Sequence, residues 1–259
     1  MTLWPIWLVG LLLVVALPAL AVAAQAGLRR VWPALREGDH NDVAGFIIAV
    51  VGVIYAVLLG FVVIVSWENF SEAEHVVGQE ASALRTMYRD SAAFPPAIRD
   101  QIHTDVRNYA SAAVESDWPA MARGEPGAPE TARALDETSE YLATMPTTNP
   151  DELQYKGIEA DRLNDLVTAR SARLDFVAQG VPAVLWMALI VGAAVTVGFT
   201  MIFGLGSALL HTLMTAGLTV LIGVLLFVAV AIDHPFAGGV AVHPVPLERV
   251  LDDFGAPPP

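Results

Sequence analysis

The sequence contains no cysteine, which excludes a disulfide framework, a thiolate nucleophile and any cysteine-ligated zinc or iron–sulfur centre. It is also poor in positive charge: 14 Lys and Arg stand against 27 Asp and Glu, a formal net charge of −13. With no long basic tract, neither nucleic acid nor an anionic membrane surface is a fitting partner. A Ser–His–Asp set, a phosphate-cradling loop and zinc spacing are missing too. The Gly-Leu-Gly-Ser-Ala-Leu stretch at Gly204 follows an apolar helix rather than a strand. Catalysis has no candidate residues, so the chain is not read as an enzyme, and no cofactor or metal is implied.

What is present is apolar surface. The 259 residues are 55% hydrophobic, with a mean hydropathy of +0.54, a composition that belongs to membrane proteins. Residues 43–66 carry no charge over 24 positions, enough at about 1.5 Å per residue to cross a hydrocarbon core of about 30 Å. The run passes without a helix breaker into Trp67, Glu68, Asn69 and Phe70. Beyond it Phe70, Ala73, Val77, Ala81, Leu84 and Tyr88 fall on one helical stripe. Glu68, Glu72, Glu80 and Arg85 are expected to point away from that stripe. One helix therefore starts in lipid and continues into water.

Three further spans are expected. Residues 3–24 form an apolar run closed by Gln25, Gly27, Arg29 and Arg30. Ala21-Val22-Ala23 also fits a signal-peptide cleavage pattern, but the preceding residues lack the positive charge such a signal needs. Residues 182–203 and 209–232 form a tight hairpin through the uncharged connector Gly204 to Ala208. In the last span Ala208, Thr212, Thr215, Thr219 and Gly223 share a face, with His211 near its start. A lone His there is more often at an interface or bonded to a helix partner than a proton relay.

Between the second and third spans, residues 68–180 hold 20 Asp and Glu against 10 Lys and Arg. Proline signals divide this acidic region into four amphipathic helices. Ala93-Phe94-Pro95-Pro96 ends the first, and the second carries Ile98, Ile102, Val106 and Tyr109. The third spans about residues 130–145. The fourth starts at Asn149-Pro150-Asp151-Glu152, with Asn at the cap, Pro at the first position and Glu in capping-box register. Asp42 is placed to cap the second span. The expected organisation is all-α: residues 1–67 hold the first two spans, 68–180 an acidic bundle in water formed by extensions of the second and third spans. Residues 181–233 hold the last two spans, and 234–259 an irregular Pro/Gly-rich tail. Lys and Arg near the span ends leave the orientation open.

Glu72-x-x-His75 and Asp100-x-x-His103 invite a carboxylate di-metal reading. In an antiparallel hairpin, however, the two His differ in height by roughly 15 Å, and solvated surface charge is the better reading. In the second span Gly45, Ala49, Gly52, Ala56 and Gly60 recur every three or four residues. Such a row lets another backbone approach closely, either within one subunit or in a ring of subunits. Val53, Val57 and Phe61 lie at i, i+4 and i+8. They form an apolar constriction if these helices surround a pore, with Trp67, Glu68 and Asn69 at its mouth, or else they face lipid or a neighbouring helix.

The segment Val57-Leu58-Leu59-Gly60-Phe61 through Trp67-Glu68-Asn69-Phe70 resembles the second-helix motif of bestrophins. Asp233-His234-Pro235-Phe236, with Gly238 and Pro246-Leu247, resembles the stretch after their last span. The Y-A-V-L-L-G-F, E-A-S-A-L-R-T-M-Y-R and D-H-P-F segments are closer still to the bacterial family of unknown function called bestrophin-like. The resemblance implies a four-span subunit of the cell membrane, a cytoplasmic helical extension and a pentamer passing inorganic ions along its axis. By that resemblance the apolar neck falls at Val53, Val57 and Phe61, and Asp233, Pro235 and Phe236 form a tail motif. The acidic run that clasps calcium in animal bestrophins is replaced by Ala237-Gly238-Gly239-Val240-Ala241-Val242, so calcium gating is not implied. Two functions stand: an oligomeric ion channel, or a non-conducting scaffold or sensor binding a partner through its acidic bundle.

Overall fold

The structure, a computed structural model, describes residues 5–32, 41–147 and 149–255. Among these residues every regular element is helical, and four helices are long and apolar enough to cross a membrane. The chain divides into two compact units, one of residues 69–179 and 234–259, the other of residues 2–68 and 180–233.

The second of these holds the apolar helices. Helix α1 (Ile6–Val31) includes a π-helical turn at Leu12–Ala16. Helix α2 (Asn41–Asp90) begins in this unit, and α6 (Ala183–Ile202) and α7 (Ala208–Ile232) complete it. Helices α1 and α7 run antiparallel. Gly10 meets Phe227, the Leu13 carbonyl meets Gly223, and Arg29 meets His211. Gly223 is where the two backbones touch, since a Cβ there would overlap the Leu13 carbonyl. Ser207 caps α7 by accepting from the Leu210 N–H. Leu59, Val62, Leu189, Ile222 and Leu226 form the core.

The other unit contains the end of α2, then α3 (Pro96–Ala112), which continues through a π turn (Ala113–Asp117) into Trp118–Ala122. Helices α4 (Pro129–Thr144), α5 (Pro150–Ala178) and α8 (Val245–Gly255) complete it. Asn149 caps α5 as its sequence signature dictates: its side chain accepts from the Glu152 N–H at 2.9 Å. Leu84, Met87, Ile102, Val106, Tyr109 and Leu166 lie at the core, where the three-and-four spacing of each helix delivers them.

Helix α2 is unbroken for 50 residues. The third span, by contrast, is joined to its extension α5 through residues 179–182, where Gly180 and Pro182 interrupt the helical ladder. Asp42 lies within the first turn of α2 rather than ahead of it; the described helix starts at Asn41.

Two expectations are corrected. The tail is not irregular throughout, because residues 245–255 form α8. Pro246 is tolerated in its first turn, while Leu247, Val250 and Phe254 share a stripe that is buried in the core. Glu80 does not point away from the apolar stripe of α2 but is fully buried, because an arginine of α5 receives it.

Candidate functional site

Helix α2 presents two opposite faces in its membrane-spanning half. Tyr55, Leu59, Val62 and Ser66, spaced four, three and four apart, are buried. On the other side Val53, Val57 and Phe61 are 64%, 68% and 57% exposed, and Phe46, Val50 and Ile64 continue the same line. Among the described residues nothing covers that face. Trp67 and Glu68 at its end are exposed as well, and Asn69 is half-buried.

The small-residue row lies on the flank between these faces. Gly45 approaches the Phe203 ring, whereas a Cβ added at Gly52 or Gly60 would meet nothing within 4 Å. Ala49 and Ala56 are exposed. Apart from Gly45, packing within the subunit therefore uses the large residues Tyr55, Leu59 and Val62, not the small row. Gly192 of α6 supplies the close approach instead, since a Cβ there would come within 2.6 Å of the Tyr55 ring.

The tail motif is a set of structural joints. Asp233 accepts from the Val181 N–H at 2.7 Å, tying the end of α7 to the segment before α6. Pro235 accepts from the Val242 N–H at 2.7 Å, closing the turn. The buried Phe236 packs edge-on against Trp118, with centroids 6.0 Å apart, and Trp118 donates from Nε1 to the Val242 carbonyl.

The four residues of the two carboxylate–His pairs stay apart from any ligand set. His75 bonds to Gln79. His103 stacks on Tyr88 at 3.6 Å and bonds to its carbonyl. Among the described residues no group of three His, Cys, Asp or Glu could hold a metal ion.

An ionic cluster that sequence reasoning missed fills the centre of the bundle unit. Arg173 donates from Nε to Glu80 Oε2 at 2.6 Å and from Nη2 to Glu80 Oε1 at 3.0 Å. It also donates to Asp117 Oδ2 at 2.8 Å, and its guanidinium lies 4.7 Å from the Trp118 ring centre. Tyr109 donates to Glu80, and Arg170 and the Ala128 N–H reach Asp117. Two carboxylates and two guanidiniums thus balance. Burial pushes the Asp117 carboxyl up, but Arg173, the Ala128 N–H and Arg170 outweigh it and hold it below the usual range. Burial, then Glu80, pushes the Tyr109 hydroxyl well up. The available signal was the spacing Ala73, Val77, Glu80, Leu84 on one stripe of α2.

The fold has known counterparts. A point variant of a bacterial bestrophin homologue from Klebsiella pneumoniae is 17% identical with a TM-score of 0.62, over 96% of this chain and 97% of that one. The same homologue, solved by zinc phasing, is 18% identical with a TM-score of 0.62 over 96% and 98%. A structure described as a membrane protein variant is 17% identical with a TM-score of 0.65 over 95% and 100%. No curated protein matches the chain. A Bestrophin-like domain is matched across residues 15–247, from within α1 to the start of α8. The chain belongs to the Bestrophin-like family and is a membrane protein related to bestrophin ion channels.

Proposed function

We propose that the chain is one subunit of a homo-oligomeric ion channel, a pentamer by family resemblance, in which α2 lines the axis. Residues 1–67 and 181–233 would lie in the cell membrane, and the acidic bundle of residues 68–180 on its cytoplasmic side. The observation that carries this reading is the exposed apolar face of α2 at Val53, Val57 and Phe61, set opposite a face buried in the subunit's own core.

Arranged around an axis, these three positions would form stacked apolar rings. Water leaves a narrow apolar ring readily, so it conducts only when widened or wetted. Trp67, Glu68 and Asn69 would form the mouth, and the surplus of acid in the bundle would raise the local concentration of cations. Ala49, Gly52, Ala56 and Gly60 are open on the flank, where a neighbouring subunit's helix could approach closely.

The test is ion flux from liposomes holding the purified oligomer, comparing chloride, sodium and potassium, with Phe61→Ala alongside. The expected result is flux above empty liposomes whose rate or selectivity changes in Phe61→Ala. No flux from a well-folded oligomer, in wild type and variant alike, overturns the channel and leaves a non-conducting scaffold that binds a partner through the bundle.

A further inference from the structure

Glu159 of α5 is an acid that the bundle unit buries without pairing. Its side chain is 1% exposed, and neither carboxylate oxygen has a hydrogen-bond partner among the described residues. Arg162 follows at the i, i+3 position, on the same face of the helix, in a matching condition. Its Nε is shut off from water and makes no hydrogen bond among the described residues. That nitrogen lies 3.8 Å from Asp90 Oδ2, beyond hydrogen-bond length. A buried acceptor and a buried donor, both unsatisfied, therefore stand about one turn apart.

The charged groups that act on Glu159 are Asp90, from the end of α2, and Arg162 itself. Burial raises the Glu159 pKa most, Asp90 adds to the rise and Arg162 opposes it, leaving it at about 8. Lys156, on the preceding turn, is drawn to the end of α4, where it donates to the Ala143 and Met145 carbonyls. The Ser91–Ala93 turn that packs on α5 brings the Ser91 hydroxyl, which already donates to the Tyr88 carbonyl.

On its outer side Arg162 donates from Nη1 to Asp165 Oδ2 at 3.3 Å, a pair in which both side chains are exposed and which is correspondingly weak. Arg162 and Asp165 line a groove of about 370 Å³ between α2 and α5, together with Gln79, Ser82, Thr86 and Thr168. A guanidinium keeps its charge at every pH a folded protein meets. Arg162 is thus a counter-charge that can move but does not titrate.

We propose that Glu159 is a proton-operated latch: protonated, it leaves Arg162 in the groove wall beside Asp165 and Asp90, and ionised, it draws the guanidinium inward and reshapes the groove. When the proton leaves for solvent, the carboxylate would be buried and alone, which is costly. Charge-assisted bonds from Arg162 relieve that cost and outweigh the exposed pairs given up. The device works within the bundle unit and does not rest on the channel reading.

The experiment follows protonation and groove separately in the full-length protein in lipid nanodiscs. The infrared band of a protonated carboxyl, assigned by its loss in Glu159→Gln, reports the proton. The chain has no cysteine, so Ser82→Cys, at an exposed position in the groove wall, takes a single environment-sensitive fluorophore that reports the groove. In wild type the band is expected to disappear and the fluorescence to shift together as pH rises through about 8. Asp90→Asn should move both transitions to lower pH. Arg162→Gln should move the loss of the band to higher pH and silence the fluorophore. The proposal is overturned if no band is assignable to Glu159, if the fluorescence does not follow the band, or if Arg162→Gln leaves the fluorescence shift as in wild type.

Discussion

Arg173 of α5 and Glu80 of α2 form a two-point ion pair, at 2.6 and 3.0 Å, in which neither side chain reaches solvent. Taking either charge out of water is costly, and the bidentate geometry with added bonds from Tyr109 and to Asp117 offsets that cost. This pair fastens α2 to α5 within the bundle unit.

Removing one member leaves an uncompensated buried charge. Glu80→Ala is expected to cost about 3–5 kcal/mol, read as a fall in melting temperature of the purified protein. Replacing Glu80 and Arg173 together by Met is expected to cost less than either single change, because Asp117 keeps Arg170 and the Ala128 N–H. A double variant less stable than both singles would contradict this account.

Stability is also expected to depend on pH through Glu159, which is 1% exposed with neither carboxylate oxygen bonded among the described residues. Burial, with a smaller push from Asp90, raises its pKa from 4.5 to about 8. A group that holds its proton more tightly in the folded state stabilises fully below its unfolded value and loses that contribution as pH rises towards the folded one. Melting temperature should therefore fall between about pH 4.5 and about pH 8. Glu159→Gln should flatten this slope and exceed wild type at the alkaline end.

Gly223→Ala places a methyl on the Leu13 carbonyl, where both neighbours are backbone. The expected loss is about 1–3 kcal/mol of stability, seen in thermal unfolding in detergent. Gly217→Ala on the same helix meets nothing within 4 Å and should be neutral or slightly stabilising.

For α8, Phe254→Ala should cost about 3–5 kcal/mol, since its ring is buried and stacks on Tyr88 at 4.0 Å. Asp253→Ala removes only an exposed pair with Arg85 and should cost less than about 1 kcal/mol. Denaturant unfolding of both variants checks the contrast.

Under the channel proposal, Val57→Ser should raise ion flux. A hydroxyl in an apolar ring lowers the cost of wetting it, and the exposed position of Val57 keeps the change from disturbing the subunit core. Unchanged flux would argue against Val57 lining the path.

Much of the fold was legible along the chain because its signals are local. A run of 24 uncharged residues needs no partner to read as a span, and Asn149-Pro150-Asp151-Glu152 announces a helix start through bonds made within four residues. The bestrophin-like segments likewise lie in single stretches. Apart from the family resemblance, the candidate neck was legible only as a periodicity, since i, i+4, i+8 spacing is the same for a residue facing a core, lipid or a pore.

The sequence by itself determined four apolar spans, an acidic helical region and their order, because hydropathy, charge and helix caps act between near neighbours. Tertiary structure alone decided which face of α2 is buried, that Glu80 turns inward to Arg173 and that α8 docks on the core. Each of those depends on what a residue far along the chain presents, and a buried charge is tolerable only once its counter-charge, 93 positions away, has been folded against it.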